Sequence, residues 1–365
     1  MESENRDIID FAFNATRLPS DSETIKFLKE SELPLVLWGA ANFAKFIYRI
    51  LDRNNIPIAA IFTDNPGKNE SFNGITVSSF EEVSTKFKKF NILVAHGEQE
   101  LADKYRKHNK VENIYTIFDF PSYGFSYDEE FLRINAREIN DLWNSLSDSL
   151  SKESLKAYIA SRSSNNWEYI RSFVRHNQYF PEFIHLTNKE NVVDCGAYTG
   201  DTLSEFIRLT GAHYDRYYAL EPSPINAELL RKIVLQKKLN DVYIISKGAW
   251  DKQGYFAFIE DTDTSHMDFI QNSEQGNIIE TDCIDNMCKA NISFIKMDIE
   301  GAELMALKGA VKTIQKNKPK LAIAVYHKTE DLITIPKYIK QICPEYKLYF
   351  RLHSKLGTDA VIYAI

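Results

Sequence analysis

Short apolar runs and helix-patterned stretches take turns along the first third of the chain. "LPLVLWG" (33–39) reads as a buried strand, and "ANFAKFIYRILDRN" (41–54) repeats its apolar residues at helical spacing. "IPIAAIFTD" (56–64) is a second strand, ended by the turn-rich "NPGKNESFNG" (65–74). "ITV" (75–77) is a short third strand, and "SSFEEVSTKF" (78–87) predicts a helix capped by Ser79. Strand "NILVAHG" (91–97), helix "EQELADKYRKH" (98–108) and closing strand "VENIYTIFDF" (111–120) complete the set. Strands separated by helices predict a parallel α/β sheet over 31–122. Residues 1–30 read as a helical segment ahead of it.

The pattern then changes. Residues 123–188 are helical in period and rich in Ser, Asn, Asp and aromatics, as in "YDEEFLRINAREINDLWNSL" and "NNWEYIRSFVRHNQYFPEFIHL". A plain linker would be less aromatic, so this segment is expected to be a helical connector, or lid, over the mouth of the C-terminal domain. From 189 to 365 the alternation returns, with strands "NVVDCG", "YYALEP", "DVYIISKGAW", "SFIKMDI" and "KLAIAVYH". The ending differs. "YKLYFRLH" (346–353) and "DAVIYAI" (359–365) flank the Gly-containing "SKLGT", which predicts an antiparallel hairpin.

Bulk properties narrow the classes. At 365 residues the chain exceeds the usual reach of one core, so two domains are expected. The net charge of −7, with no long basic cluster, argues against a nucleic-acid partner. No run approaches the ~20 apolar residues that span a bilayer, and "MESENRDIIDF" has no secretory apolar region. Cys195, Cys283, Cys288 and Cys343 form no CxxC pair, so zinc and dithiol chemistry lack their spacing. Reduced thiols and a cytoplasmic location are the expectation.

Candidate chemistry centres on "NVVDCGAYTGDTLSEFIRL" (191–209). Gly196 and Gly200 permit a tight turn after the strand, and the next helix points unpaired N–H groups into the space beyond. Two glycines alone are a weak signal. Glu221 ends the following strand, where a carboxylate can accept both ribose hydroxyls. "SKGAWD" (246–251) brings Ala249 and Trp250 to positions that could flank an adenine. "IKMDIEGAELMALKGA" (295–310) puts Asp298 at a strand end beside the switch point where ligands sit.

Together, "VVDCGAYTGDT", "LEPSP", "KGAWDKQG" and "IKMDIEGAELMALKGA" closely resemble the FkbM family of S-adenosylmethionine-dependent methyltransferases, over residues 178–365. The resemblance implies a class I methyltransferase Rossmann-like sheet with a C-terminal antiparallel hairpin. It implies S-adenosylmethionine as cofactor and O-methylation of a sugar or hydroxylated natural product, in bacterial polysaccharide or natural-product biosynthesis. Carried over residue by residue, cofactor contacts fall at Asp194, Gly196, Tyr198, Thr199, Gly200, Glu221, Ala249 and Trp250, with Asp298 near the transferred methyl group. One departure is that many members carry "EIH" after the fifth strand where this chain has "VYH", so Tyr326 replaces an acid while His327 keeps its place.

An activated sulfonium methyl needs alignment more than acid–base chemistry, but a hydroxyl acceptor benefits from a base. Candidates are Asp298, His327 and His353. His327, with a reference pKa near 6.5, is the expected base, Asp298 the orienting acid, and His353 a substrate-facing or solvated residue. Asp298, Glu300 and Glu303 spell D-x-E-x-x-E, which could hold Mg²⁺. Acids at a helix start also suit the macrodipole, so no metal is expected. "FIEDTDTSHMD" (258–268) is a candidate substrate loop.

Upstream, "GAANFA" (39–44) is a degenerate glycine fingerprint, and Asp64 occupies the place of a ribose acid. This smaller Rossmann-like α/β domain resembles sugar-nucleotide-binding domains of bacterial acyltransferases. A nucleotide sugar at Gly39 and Asp64, a docked partner and a structural role are all open. Two other readings compete for the whole chain: an NAD-dependent sugar oxidoreductase, which lacks its Tyr-x-x-x-Lys pair here, and a non-catalytic nucleotide-sugar-binding module. A homodimer is the commonest state for a soluble enzyme.

Overall fold

The computed structural model describes residues 8–67, 70–95, 102–117, 127–258, 277–355 and 357–365. The described residues within 1–15 and 123–365 form one compact unit, and those within 16–122 a second. Helix α1 (Ile8–Phe13) belongs to the first.

The smaller unit begins with α2 (Asp21–Glu30), where Ser20 and Glu23 form a capping box. Its sheet contains β1 (Leu35–Trp38), β2 (Ala60–Phe62), β3 (Ser71–Phe72), β4 (Ile75–Ser78), β5 (Phe90–Val94) and β6 (Val111–Thr116), in the order β3-β4-β2-β1-β5-β6. Helices α3 (Asn42–Arg53), α4 (Phe80–Lys86) and α5 (Ala102–Arg106) connect them. Every residue of β1 is buried because both faces are covered. Leu35 and Leu37 pack with Ala44 and Ile47 of α3, while Val36 and Trp38 pack with Phe80, Val83 and Tyr105 on the other face. Ser79 caps α4, again with a capping box through Glu82.

In the larger unit, α6 (Glu129–Ile134), α7 (Ala136–Ser145) and α8 (Ser149–Ser164) precede the sheet. Phe350 donates its N–H to Ser151 Oγ at 2.9 Å, and the buried Arg351 guanidinium reaches Asp148 Oδ2 at 2.6 Å. The helical segment is thereby fastened along the strand that carries those residues. The main sheet comprises β7 (Asn191–Cys195), β8 (Arg216–Leu220) and β9 (Val242–Ile245) on one side. Beyond them β10 (Gly248–Ala249), β11 (Gly254–Phe258) and β12 (Asn277–Asp282) make a separate three-stranded sheet. "DVYIISKGAW" is therefore two strands in two sheets, with the break at Ser246–Lys247. The main sheet continues through β13 (Phe294–Met297), β14 (Lys320–Ala324), β15 (Leu348–Leu352) and β16 (Ala360–Ala364).

Helices α9 (Asp201–Thr210), α10 (Pro224–Gln236), α11 (Ile284–Met287), α12 (Glu303–Lys308), α13 (Val311–Asn317) and α14 (Asp331–Ile342) complete the unit. Strand order is β15-β16-β14-β13-β7-β8-β9. Strands pair in parallel from β9 to β14, and β16 is antiparallel to both β14 and β15. The order reverses between β7 and β13, so their carboxyl ends open the crevice where α/β sheets hold ligands.

Candidate functional site

At that crevice lies a cavity of about 300 Å³, at the small end of ligand pockets. Its walls come from the loop after β7 (Gly196, Tyr198), the first turn of α9 (Asp201, Thr202), the end of β8 (Glu221, Pro222), the end of β13 (Lys296, Asp298, Glu300) and Tyr326 after β14. Tyr179 reaches it from the helical segment.

Gly196 has φ +77°, and a Cβ there would lie 2.0 Å from the Asp298 carbonyl oxygen. Only glycine lets the ends of β7 and β13 approach this closely. Gly200 (φ +91°) opens α9, whose first N–H groups face the cavity region. Tyr198 (φ +46°) and Glu300 (φ +56°) also hold left-handed backbone. Such strain costs ~1–3 kcal/mol per residue and concentrates where function requires a fixed shape.

Glu221 is 5% exposed and lines the cavity. Its Oε2 accepts the Tyr198 N–H at 2.8 Å and its Oε1 the Ser223 N–H at 2.9 Å. Burial raises its pKa against these two hydrogen bonds. The Asn226 side chain also hydrogen-bonds it, so of a carboxylate's roughly four lone-pair sites one remains for a ligand.

A buried polar column stands behind the cavity. Lys296 Nζ lies 3.0 Å from Asp194 Oδ1, with neither side chain more than 3% exposed. Tyr217 Oη donates to Asp194 Oδ2 at 2.7 Å. Burial pulls the Lys296 pKa down, but Asp194 and Asp298 outweigh it and hold the group above its usual value. Asp298 accepts Tyr179 Oη at 2.5 Å and Tyr326 Oη at 3.1 Å. Burial would raise the Asp298 pKa, yet His327, Lys296 and the two tyrosines bring it below normal.

His327 sits one layer back, 8% exposed. Its Nε2 is 3.3 Å from Asp298 Oδ1 and 3.5 Å from Glu300 Oε2, and its Nδ1 is 2.9 Å from Glu303 Oε1. Burial lowers its pKa, but Glu303, Asp298 and Glu300 override that and drive it to about 10. That direction favours the protonated ring, which weighs against the expected role of His327 as base.

Several expected residues serve from outside the cavity. Asp194 is fully buried and braces Lys296. Thr199 lies in the same turn as Tyr198, half-buried, without lining the cavity. Ala249 lines a closed recess beside Gly196 and Pro222 with room for about one water. The Trp250 ring packs on Phe256 at 4.8 Å and lines neither space. Gly309 packs tightly on its backbone, since a Cβ there would lie 1.9 Å from the Trp250 carbonyl oxygen. The structure does not bring His353 to the cavity. Its Nδ1 meets the Arg175 carbonyl at 2.9 Å and its Nε2 meets Tyr363 Oη at 2.7 Å, and burial lowers its pKa to about 4. Residues 259–268 of the candidate substrate loop lie outside the described residues.

Sequence reasoning passed over Tyr179, Lys296, Asp201, Thr202 and Asn226. Lys296 had a signal, since a lysine inside the apolar run "FIKM" must find a buried carboxylate.

In the smaller unit, Gly39 (φ +125°) is required by packing, as a Cβ would stand 2.5 Å from the Ala95 carbonyl oxygen. Asp64 Oδ1 already accepts Lys104 Nζ at 2.6 Å and Tyr105 Oη at 2.7 Å.

A sheet of this order, with its inserted antiparallel strand and an acid ending its second strand β8, defines the class I methyltransferase fold. Residues 194–345 match the family described as Methyltransferase FkbM domain. The chain is similar to the crystal structure of Methyltransferase FkbM from Methylobacillus flagellatus KT, with 24% identity, 96% of this chain and 94% of that one covered, and a TM-score of 0.73. At that identity the likeness speaks for the fold. Looser likenesses, which carry no argument, include an rRNA methylase from Streptococcus thermophilus (14% identity, 49% and 87% covered, TM-score 0.33). Another is Aeropyrum pernix fibrillarin with natively bound S-adenosyl-L-methionine (13%, 50% and 70%, TM-score 0.32). No curated protein matches the sequence. No helix among the described residues is long and apolar enough to cross a membrane.

Proposed function

We propose that the larger unit transfers a methyl group from S-adenosylmethionine to a hydroxyl of a sugar or similar polyhydroxylated acceptor. The observation that carries this reading is Glu221, a carboxylate fixed in the cavity wall by two main-chain N–H groups and the Asn226 side chain, with acceptor capacity left on the cavity side. A ribose hydroxyl suits that capacity. The glycine turn and the start of α9 then take the methionine end, and the sulfonium faces Asp298.

The acceptor end is bounded by Asp298, Glu300 and Tyr326. Carboxylates and phenol hydroxyls favour a hydroxyl-bearing molecule over an apolar one. In the transfer, the acceptor oxygen forms the new C–O bond as the C–S bond breaks, S-adenosylhomocysteine leaves, and the hydroxyl proton passes to a carboxylate at this end. Alignment alone can contribute ~7–11 kcal/mol of the barrier.

The test is calorimetry with S-adenosylhomocysteine and NAD⁺ on the full chain, followed by transfer of a labelled methyl group to saccharides and nucleotide sugars, read by mass spectrometry. Saturable heat with S-adenosylhomocysteine alone is expected. A folded sample that takes up no S-adenosylhomocysteine would end the methyltransferase reading.

A further inference from the structure

Among the described residues, His327 is a buried side chain with a polar atom left unmet. Its Nε2 makes no hydrogen bond, although the side chain is only 5% exposed. Glu303 Oε2, fully buried, also has no hydrogen-bond partner. Leaving polar atoms unmet at this depth is costly. One ligand atom each from Asp298, Glu303 and His327 can be chosen so that all lie within 4.8 Å of one another.

We propose that this cluster is a divalent-cation site, with His327 Nε2, Asp298 Oδ1 and Glu300 Oε2 as ligands and Glu303 behind the ring. Octahedral bonds of ~2.1 Å put adjacent ligand atoms ~3 Å apart. The observed separations from Nε2, 3.3 Å to Asp298 and 3.5 Å to Glu300, need only a slight contraction. On the opposite edge Glu303 Oε1 stands 2.9 Å from Nδ1, as in the carboxylate–histidine pairs that orient metal-bound imidazoles. Its Oε1 also accepts the Ile299 N–H at 2.8 Å, which fixes it in place. One imidazole with two carboxylates suits Mn²⁺ or Mg²⁺ better than a thiolate-seeking metal.

Asp298 and Glu300 both line the cavity, so the cation's remaining positions face the space assigned to the acceptor. There it would bind the acceptor oxygen and ease loss of its proton. That role rests on the methyltransferase reading, whereas the site itself does not. In the absence of a cation, a protonated His327 supplies the positive charge the acids require.

The experiment is titration of the EDTA-treated full chain with Mn²⁺, followed by calorimetry and by loss of the free-ion paramagnetic resonance signal. One saturable site is expected, weakened at least tenfold in Glu300→Gln and His327→Gln. Melting curves without metal show whether each variant folds, and Glu300→Gln, which only removes a negative charge from an acidic cluster, keeps the test available if His327→Gln does not. A folded chain with no saturable Mn²⁺ uptake below ~1 mM overturns the proposal, as does uptake unchanged in Glu300→Gln. Mn²⁺ uptake without S-adenosylhomocysteine uptake would sink the functional reading and leave the cation site standing.

Discussion

Replacing Glu221 by Gln removes one oxygen and one charge while keeping the shape. The wild-type carboxylate uses a different oxygen for each of two backbone donors, Tyr198 N–H at 2.8 Å and Ser223 N–H at 2.9 Å. An amide can satisfy one of them, and its NH₂ must then face the other N–H. If a ribose hydroxyl uses the remaining lone-pair site, a charge-assisted contact to the donor is lost as well. Hydrogen bonds to charged groups are worth ~1.5–3 kcal/mol, which is roughly 10- to 150-fold in affinity. Calorimetry with S-adenosylhomocysteine should therefore show a drop of one to two orders of magnitude, with urea unfolding run alongside to measure the loss of the loop anchor. A Gln variant that is less stable yet binds within threefold of wild type would show that Glu221 merely shapes the turn.

Gly196→Ala should be more damaging than any side-chain change, because its Cβ would collide with the Asp298 carbonyl at a positive φ. Either the chain fails to fold or S-adenosylhomocysteine binding vanishes, and a variant with normal melting and affinity would refute the close approach. Burial alone would raise the Glu190 pKa, but Lys320 at 2.7 Å, Ser293 and the Thr187 N–H outweigh it and lower it. Its contribution is thus present above ~pH 4.3 and lost as pH falls through the lower folded value, so the urea-measured stability gap to Glu190→Gln should close on acidification. A gap that widens in acid would contradict the sign. His353→Ala should cost ~1–3 kcal/mol in unfolding experiments by taking its partner from the Arg175 carbonyl and one of two partners from Tyr363 Oη, which keeps the Gln178 carbonyl. UDP-sugars should give no saturable heat with Asp64 already held by Lys104 and Tyr105, and micromolar binding would restore the upstream site.

The parts of the site written in contiguous residues were legible. "VVDCGAYTGDT" and "LEP" bring their own turn, helix start and acid, so Gly196, Tyr198 and Glu221 could be placed from local pattern. Tyr179 could not, since its bond to Asp298 spans 119 positions and no period marks it. His327 was placed at the correct strand end, but its electrostatic setting was not legible. Its electrostatics are set by acids at 298, 300 and 303 that converge on it only in the folded chain. Trp250 was expected beside an adenine, and its ring packs instead on Phe256, a contact the sequence pattern does not mark. The short β10 and β3 were missed because two-residue strands carry no alternation to detect.

Strand β16 threads between β14 and β15, and every one of its residues is buried. A growing chain therefore exposes the flank of β14 until that segment emerges from the ribosome, although the loops bearing Asp298 and His327 have long been made. The sheet that carries the candidate site stays unfinished until residues 360–364 are made. Nascent chains stalled before residue 360 should accordingly be clients of chaperones rather than early enzymes.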